Sequence, residues 1–333
     1  MDKTLLKKFL GRGIMVSPEV AEELTENDYD KTSPGNNLML LDKNGLEKIR
    51  QKEKTITFSA AVGKKELAAR DFLGYYKNKI RLLEPFIAVK LKDKTVSINK
   101  MRPGQRNTIL GIVREPEENR FYLEDLAGRC VVISKAPDVR ENDVIAVNGT
   151  FSGDRMFAEN LVYPELPIKK EINKTDTQAK LLFGREIGKA GETIDKLFGG
   201  EVSNAGAFIT SGEELTIAVL NNGVVEKTTI KTQQAKITMK IAGKRFKVQF
   251  AQLRSNESTE ILSRVFSKRR YVSLEIPTLD YELNTIDEDT DIVFLGESQQ
   301  PGFTNHKGYT FLAVGDNIIE VDLKTREITT ADF

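Results

Sequence analysis

NTILGIVRE (107–115), RFYLEDLAGRCVVIS (120–134), DVIAVNGTFSG (143–153) and RMFAENLVY (155–163) follow one another closely, each a short β-rich run. In a barrel, alternate positions of each strand point inward and the others outward. Turn formers part the runs at Pro103 and Gly104, Pro116 to Asn119, Ala127 and Gly128, and Ser152 and Gly153. Short strands at such intervals suit a small closed barrel. With TVSINK (95–100) counted as the first, five β-rich segments predict a barrel over about residues 95–165.

Working outward toward the N-terminus, Leu5, Leu6, Phe9 and Leu10 share one helical face, and Ser17, Pro18 and Glu19 read as the capped start of a second short helix. Asp28 to Asn37 is a run of turn formers, and DKNGLEKIRQ (42–51) reads as a turn into a helix. Residues 1–60 are thus expected to form a small helical module, either a binding module or an amphipathic cap on its neighbour. KKELAARDFLGYYKNK (64–79) has helical spacing and is expected to lead through a linker at Pro85 into the barrel, giving a second domain over 61–168.

PELP (164–167) closes the barrel region, and Lys169 to Gln178 is polar enough for a linker. Residues 169–333 then alternate strand-like runs, such as KLLFGREIG (180–188), ELTIAVLNNG (214–223), KRFKVQF (244–250) and DIVFLG (291–296), with two helical patterns near Glu192–Phe198 and Ser258–Arg270. That alternation predicts an α/β sandwich of mixed sheets, with hairpins at Ala242 and Gly243 and at Gly315 to Asn317. The expected fold class is α+β: a helical module, a barrel and a sandwich.

Fifty basic and 49 acidic residues leave a formal net charge of +1, so charge gives no warrant for a protein that coats nucleic acid. One cysteine, Cys130, excludes an internal disulfide and a Cys-x-x-Cys zinc site, and fits a reducing compartment, here the cytoplasm. No apolar run approaches a membrane span and no signal peptide is read, so no membrane association is expected. His306 is the one histidine.

SINKMRPGQRNTILGIVRE (97–115), FYLEDLAGRCVVI (121–133) and ENDVIAVNGTFSGDRMFAENLVYPELPI (141–168) closely resemble the OB domain of the small subunit of the archaeal D-family DNA polymerase. They resemble, more remotely, the B subunits of eukaryotic replicative polymerases. KRRY (268–271), LDYELNTIDEDTDIVFLG (279–296) and VDLKTREIT (321–329) are similar to the framework of that family's second domain, a calcineurin-like phosphodiesterase. The resemblance spans nearly the whole chain and is weakest between about 170 and 240.

In that family, Asp, His and Asn ligands hold two metal ions, each with an open position for the water that attacks the phosphodiester. What the resemblance implies here is a lost cage. The Asp-x-His motif falls at Gly184, Arg185 and Glu186, and an arginine repels a divalent cation. The Gly-Asp motif falls at Gly200 and Glu201, and the Gly-Asn-His-Asp motif at Asn222, Gly223, Val224 and Val225, whose valines cannot ligate. A later histidine is replaced within Gln249, Phe250 and Ala251, and the final Gly-His-x-His reads Gly296, Glu297, Ser298 and Gln299. Arg185, Glu186, Glu201, Val224, Val225, Glu297 and Gln299 are therefore vestigial positions; no catalytic, metal-binding or cofactor-binding residue is expected, and no cofactor.

Other chemistry-bearing residues have structural readings. Cys130, on a strand with no histidine nearby in sequence, reads as core. The glycines of GRGIMVSP and GKAGE lack phosphate-loop spacing. Lys268, Arg269 and Arg270, and separately Lys244, Arg245 and Lys247, offer basic groups for a phosphate backbone or for a solvated surface. Phe121, Tyr122, Phe151 and Phe157 offer rings for base stacking, though at least half should point into the barrel.

The resemblance implies a non-catalytic accessory subunit in DNA replication, bound to the large catalytic subunit of the polymerase as a heterodimer and meeting DNA through that complex. The sliding clamp is a further partner it suggests, although QAKLLF (178–183) lacks the spacing of a clamp motif. The alternatives are a stand-alone single-stranded nucleic-acid-binding OB protein and a metal-dependent 3′–5′ exonuclease.

Overall fold

Leu5 and Phe9, one helical turn apart, are the buried residues of α1 (Lys3–Gly11). After it come β1 (Ile14–Val16) and β2 (Met39–Leu41), which pair in parallel with Met15 opposite Leu40. Leu5, Phe9, Ile14, Val20, Leu41 and Leu46 make a core of their own. The helix expected from Ser17 is instead a pair of turns, in which the Val20 amide donates to the Ser17 carbonyl and the Glu23 amide to that of Val20. Ser17 Oγ is buried with no hydrogen-bond partner and so caps nothing.

The structure, a computed structural model, describes residues 3–25, 28–29, 39–43, 46, 55–60, 69–135, 137–168, 170–185, 198, 204–211, 213–221, 224–253, 256–271 and 281–331. Most of the readings at Asp28 to Asn37, at 42–51 and at Glu192–Phe198 lie outside those residues. Two compact units divide the chain, Met1–Lys54 and Thr55–Phe333.

The second unit opens with β3 (Ile56–Ala60) and the long helix α2 (Ala69–Ala88). The linker expected at Pro85 is helical, because the apolar series Tyr76, Ile80, Leu83 and Ile87 runs on through it. Leu83 and Ile87 bury against Ile112, Val144 and Ala146 of the barrel, which outweighs the one backbone bond that proline removes so near the helix end.

β4 (Arg106–Arg114), β5 (Arg120–Glu124), β6 (Arg129–Ile133), β7 (Val144–Ser152) and β8 (Arg155–Val162) close a five-stranded barrel in the order β4-β5-β6-β8-β7. β7 returns to β4, the β6/β8 pair is parallel, and the others are antiparallel. The number of strands matches the sequence reading but their membership does not. TVSINK leads into a 3-10 turn at Ile98–Lys100, whereas RFYLEDLAGRCVVIS supplies two strands. Asp125 is responsible for both: its Oδ1 accepts from the Ala127 and Gly128 amides and closes the β5–β6 hairpin, while Oδ2 accepts from Ser97 Oγ at 2.9 Å and the Ile98 amide at 2.8 Å. Ile98 and Met101 thereby join the barrel core beside Phe121, Leu123, Cys130 and Met156.

The rest of the unit contains β9 (Lys180–Arg185), β10 (Asn204–Ser211), β11 (Glu214–Asn221), β12 (Val224–Lys231), β13 (Gln234–Ile241), β14 (Lys244–Ala251), α3 (Thr259–Arg269), α4 (Tyr281–Asn284), β15 (Ile292–Glu297), β16 (Gly302–His306), β17 (Tyr309–Val314), β18 (Ile318–Asp322) and β19 (Ile328–Ala331). Two six-stranded mixed sheets, β12-β11-β10-β9-β18-β19 and β16-β17-β15-β14-β13-β3, enclose one core. Phe183 stacks on Phe208 at 5.0 Å, with Phe294 edge-on from the opposite sheet at 5.1 Å. α3, expected over Ser258–Arg270 and capped by Ser258, lays Leu262, Val265 and Phe266 on the outer face of the second sheet.

Residues 56–60, read with the N-terminal module, are instead an edge strand of this sandwich, antiparallel to β13. Ala242 (φ 49°) and Gly243 (φ 77°) form the expected hairpin between β13 and β14. The turn at Gly315 to Asn317 makes no hairpin: it carries the chain from β17 in one sheet to β18 in the other. The architecture is mixed α+β, mostly strand, and among the described residues no helix is long and apolar enough to cross a membrane.

Candidate functional site

Arg185 ends β9 and Glu297 ends β15, so strands from different sheets bring them together at one end of the sandwich. Arg185 Nε lies 3.7 Å from Glu297 Oε2, and its Nη1 lies 3.6 Å from Asp316 Oδ1. Before Glu297 the β15/β17 register shifts, and Gly296 takes φ 68° with its missing Cβ side filled by the Gln252 amide. A side chain there would meet both the positive φ and that amide, so the bend requires glycine. The guanidinium already offsets carboxylate charge that a divalent cation would seek.

The other vestigial positions do not gather around this pair. Val224 pairs with Asn221, which pairs with Asn204, whereas Arg185 pairs with Thr210. Six residues of strand separate those two levels, roughly 20 Å at 3.3 Å per residue. Val224 and Val225 therefore sit at the opposite end of the sheet, half exposed on an edge strand. They cannot share a metal site with Arg185, which corrects that part of the motif placement. Gln299 is exposed in the turn after β15, and Gln249 is buried on β14. Glu186 and Glu201 lie outside the described residues.

His306 ends β16 opposite Tyr309, and partial burial, then Lys307 and Arg264, hold its pKa below the ordinary value. Among the described residues no three His, Cys, Asp or Glu side chains are placed to hold a metal ion. Burial pushes the Cys130 thiol up to about 12, in keeping with a core residue.

The KRRY segment is a seam between barrel and sandwich. Lys268 Nζ meets Asp138 Oδ2 at 2.7 Å, and Arg269 donates through Nε to both oxygens of Asp143 at 2.8 Å. Arg270 donates to the Ile286 carbonyl at 3.1 Å and to Glu288 at 3.2 Å, while its guanidinium lies 3.5 Å over the Phe86 ring of α2. Arg140 in the barrel region grips Glu257 through two bonds of 2.7 and 3.1 Å. Arg269 and Arg270 are 7% and 2% exposed, so the expectation that they reach a phosphate backbone is corrected: both guanidinium groups are buried inside the protein. Lys268 spans the same seam and lies 4.1 Å over the Tyr163 ring. Of the other basic cluster, Lys244 pairs with Asp176 and Lys247 with Asp289.

α2 brings a further buried charge to the seam. Lys79 Nζ donates to the Asn142 carbonyl at 2.8 Å and lies 3.9 Å over the Tyr271 ring. Burial pulls its ammonium down to about 8, against the opposing pull of Asp143. Burial likewise raises the Asp143 carboxyl, with Arg269 the chief opposing charge. The hydroxyls of Tyr75 and Tyr271 bond to each other, and burial lifts the Tyr75 phenol to about 12. The sequence showed these basic residues but not their acids, since Asp143 and Arg269 are 126 positions apart.

Of the barrel aromatics, Phe121 is in the core and Phe151 packs partly against it, while Tyr122 and Phe157 face outward. No family model matches the chain, and no curated protein matches it.

Proposed function

We propose that the chain is a non-catalytic accessory subunit of a D-family-like DNA polymerase, an OB-type barrel joined to a calcineurin-like phosphodiesterase sandwich that has lost its metal cage. Its task in DNA replication is to bind and position the large catalytic subunit, reaching DNA through that complex in the cytoplasm. The observation that carries the reading is the seam, where the basic residues of the resembling KRRY segment fix one domain to the other. Rigid joining of two folds serves a scaffold whose product is a surface.

Two further features support it. The barrel order β4-β5-β6-β8-β7, with one parallel pair, is compatible with the OB-type barrel that the resemblance implies. An Arg185–Glu297 ion pair stands where the resemblance puts metal ligands. Co-expression with a D-family large subunit, followed by size exclusion at low salt, tests the proposal: a stable heterodimer is expected, and separate elution would sink it. Adding the sliding clamp to the same column tests that partner.

The single-strand-binding alternative draws on Tyr122 and Phe157, which face outward with Arg120, Arg129 and Arg155 around them. Those arginines pair with Glu117, Glu115 and Asp154, which offsets the positive charge a polyanion needs. Oligonucleotide titration at two salt concentrations discriminates, since phosphate contacts must weaken steeply with salt. Manganese-dependent exonuclease activity abolished by Glu297→Gln would favour the enzyme reading instead.

A further inference from the structure

β12 and β3 are edge strands on the same flank of the sandwich. β11 packs over β13, so the first sheet, read from β12, and the second, read from β3, run side by side in one direction. Ile230 of β12 and Ile56 and Ala60 of β3 accordingly meet the same core. Among the described residues each of the two strands pairs on one side only, β12 with β11 and β3 with β13. β3, ITFSA, lacks the usual guards of a free edge: it has no charge and no proline, and its register with β13 has no bulge. Phe58 shares the core-facing side with Ile237, yet it is 44% exposed. β12 pairs with β11 in an unbroken register of eight residues and exposes Val224 and Val225 by about half. Its charges, Glu226, Lys227 and Lys231, decide which strand can lie against it.

The two edges are also in step along the strands. At one end of the flank β12 crosses to β13 in a short turn, where the Thr232 amide donates to the Glu213 carbonyl, and this sets Glu214 beside Gln234. At the other end the Asn221 side chain donates to the Lys240 carbonyl at 2.9 Å and accepts from the Ala242 amide at 3.2 Å, which sets Asn221 beside Ile241. Both ends give the same offset of 20 positions (234 − 214 and 241 − 221), so Ile217 stands level with Ile237. Thr228 pairs with Ile217 and Phe58 with Ile237. Thr228 and Phe58 therefore lie at one height on the two rims.

That coincidence suits a second copy of the chain. A two-fold axis normal to the sheets at this height lays β12 antiparallel to its copy and β3 antiparallel to its copy at once. The axis keeps each face of a sheet on its own side, so paired residues share parity: Thr228 meets Thr228, Lys227 meets Thr229, and Val225 meets Lys231 of the second copy. No like charges stand opposite each other. Moving the axis by one residue along β12 would set Lys227 against itself or against Lys231, which like-charge repulsion disfavours. In β3 the same axis sets Phe58 on Phe58 and Thr57 opposite Ser59, all uncharged. One axis thus satisfies both edges and covers the exposed Phe58 ring.

We propose that this flank joins two copies of the chain in a two-fold dimer, β12 to β12 and β3 to β3, so that both six-stranded sheets continue across the axis. The pairing stands independently of the polymerase reading and uses no residue of the seam. The experiment is sedimentation equilibrium of the full chain alone, beside Val225→Lys, Val225→Glu and the double variant Val225→Lys with Lys231→Glu. Val225 and Lys231 are exposed, and circular dichroism verifies that each variant folds. A reversible dimer is expected. Lysine at 225 meets Lys231 twice per dimer and should raise the dissociation constant at least about fivefold, glutamate there should lower it, and the double variant should restore it. A chain that stays monomeric up to about 0.1 mM would overturn the proposal. So would a dimer that responds alike to lysine and glutamate at 225, or an assembly that grows beyond two copies.

Discussion

Arg269 and Asp143 face each other across the junction of sandwich and barrel, Nε donating to both carboxylate oxygens at 2.8 Å, with each residue only 7% exposed. Removing one partner of a buried pair strands the other charge, at about 3–5 kcal/mol, whereas replacing both with apolar groups of similar volume is often neutral. Asp143→Asn is therefore expected to destabilise strongly, and Asp143→Leu with Arg269→Met much less. Urea denaturation of the single and double variants checks this; equal losses would mean that packing, rather than charge, holds the junction.

Lys79 gives the junction a pH dependence of definite sign. Its ammonium is held near 8 in the folded protein against 10.5 for a free lysine, so the unfolded chain binds that proton more tightly. Stability is then lowest below about pH 8 and rises as the pH climbs toward 10.5, by at most roughly 3 kcal/mol for a gap of that size. Denaturation between about pH 7 and about pH 9.5 stays below the range in which tyrosines ionise, and the buried Cys130 thiol, which ionises in the unfolded chain, adds a smaller slope of opposite sign that the parent and the variant share. Lys79→Met is expected to flatten the profile and to be the more stable form at pH 7; an unchanged slope would place the titrating group elsewhere.

Gly149 lies at the register shift between β7 and β8, where a Cβ would fall on the Phe157 carbonyl and reach 3.0 Å from the Ala158 Cα. Both obstacles are backbone and cannot swing aside. Gly149→Ala is expected to cost about 2–4 kcal/mol. Gly153, with φ 65° but open space around it, should lose only about 1 kcal/mol in Gly153→Ala. Thermal melts of the two variants make the comparison, and similar losses would show that the barrel relaxes at Gly149.

The Arg185–Glu297 pair is partly solvated, at 49% and 29% side-chain exposure. Solvent screening limits such a pair to about 1 kcal/mol or less. Glu297→Gln should barely change the urea midpoint, and on the scaffold reading it should leave co-purification with the large subunit intact. A loss of several kcal/mol would indicate that Glu297 has a structural role beyond this ion pair.

The barrel was legible because its strands are local and conspicuous turns punctuate them. Even so, TVSINK looked like a strand, since what holds it as a turn is a carboxylate on Asp125, 28 positions beyond Ser97. The helical pattern over 64–79 reads as giving way to a linker through Pro85, because proline breaks helices locally, yet the apolar series continues to Ile87 and keeps α2 helical. The turn at Gly315 had the composition of a hairpin, but its flanking strands belong to different sheets, which composition does not encode. At the candidate sites the residue types were visible and the pairings were not. KRRY reads as open to phosphate in sequence, whereas Lys268 and Arg269 meet Asp138 and Asp143 of the barrel region.

β3 makes the sandwich a discontinuous fold. Ala60 pairs with Ala235, 175 positions later (235 − 60), and the whole barrel is threaded between them. During synthesis this strand emerges long before the sheet that receives it, while the barrel strands find their partners within a few dozen residues. The barrel is therefore expected to fold first, inside an open loop, with the edge strand docking late because so distant a contact closes slowly. A boundary drawn at residue 61 would release the barrel with its helix but take a strand from the sandwich, exposing the β13 edge to pairing between molecules.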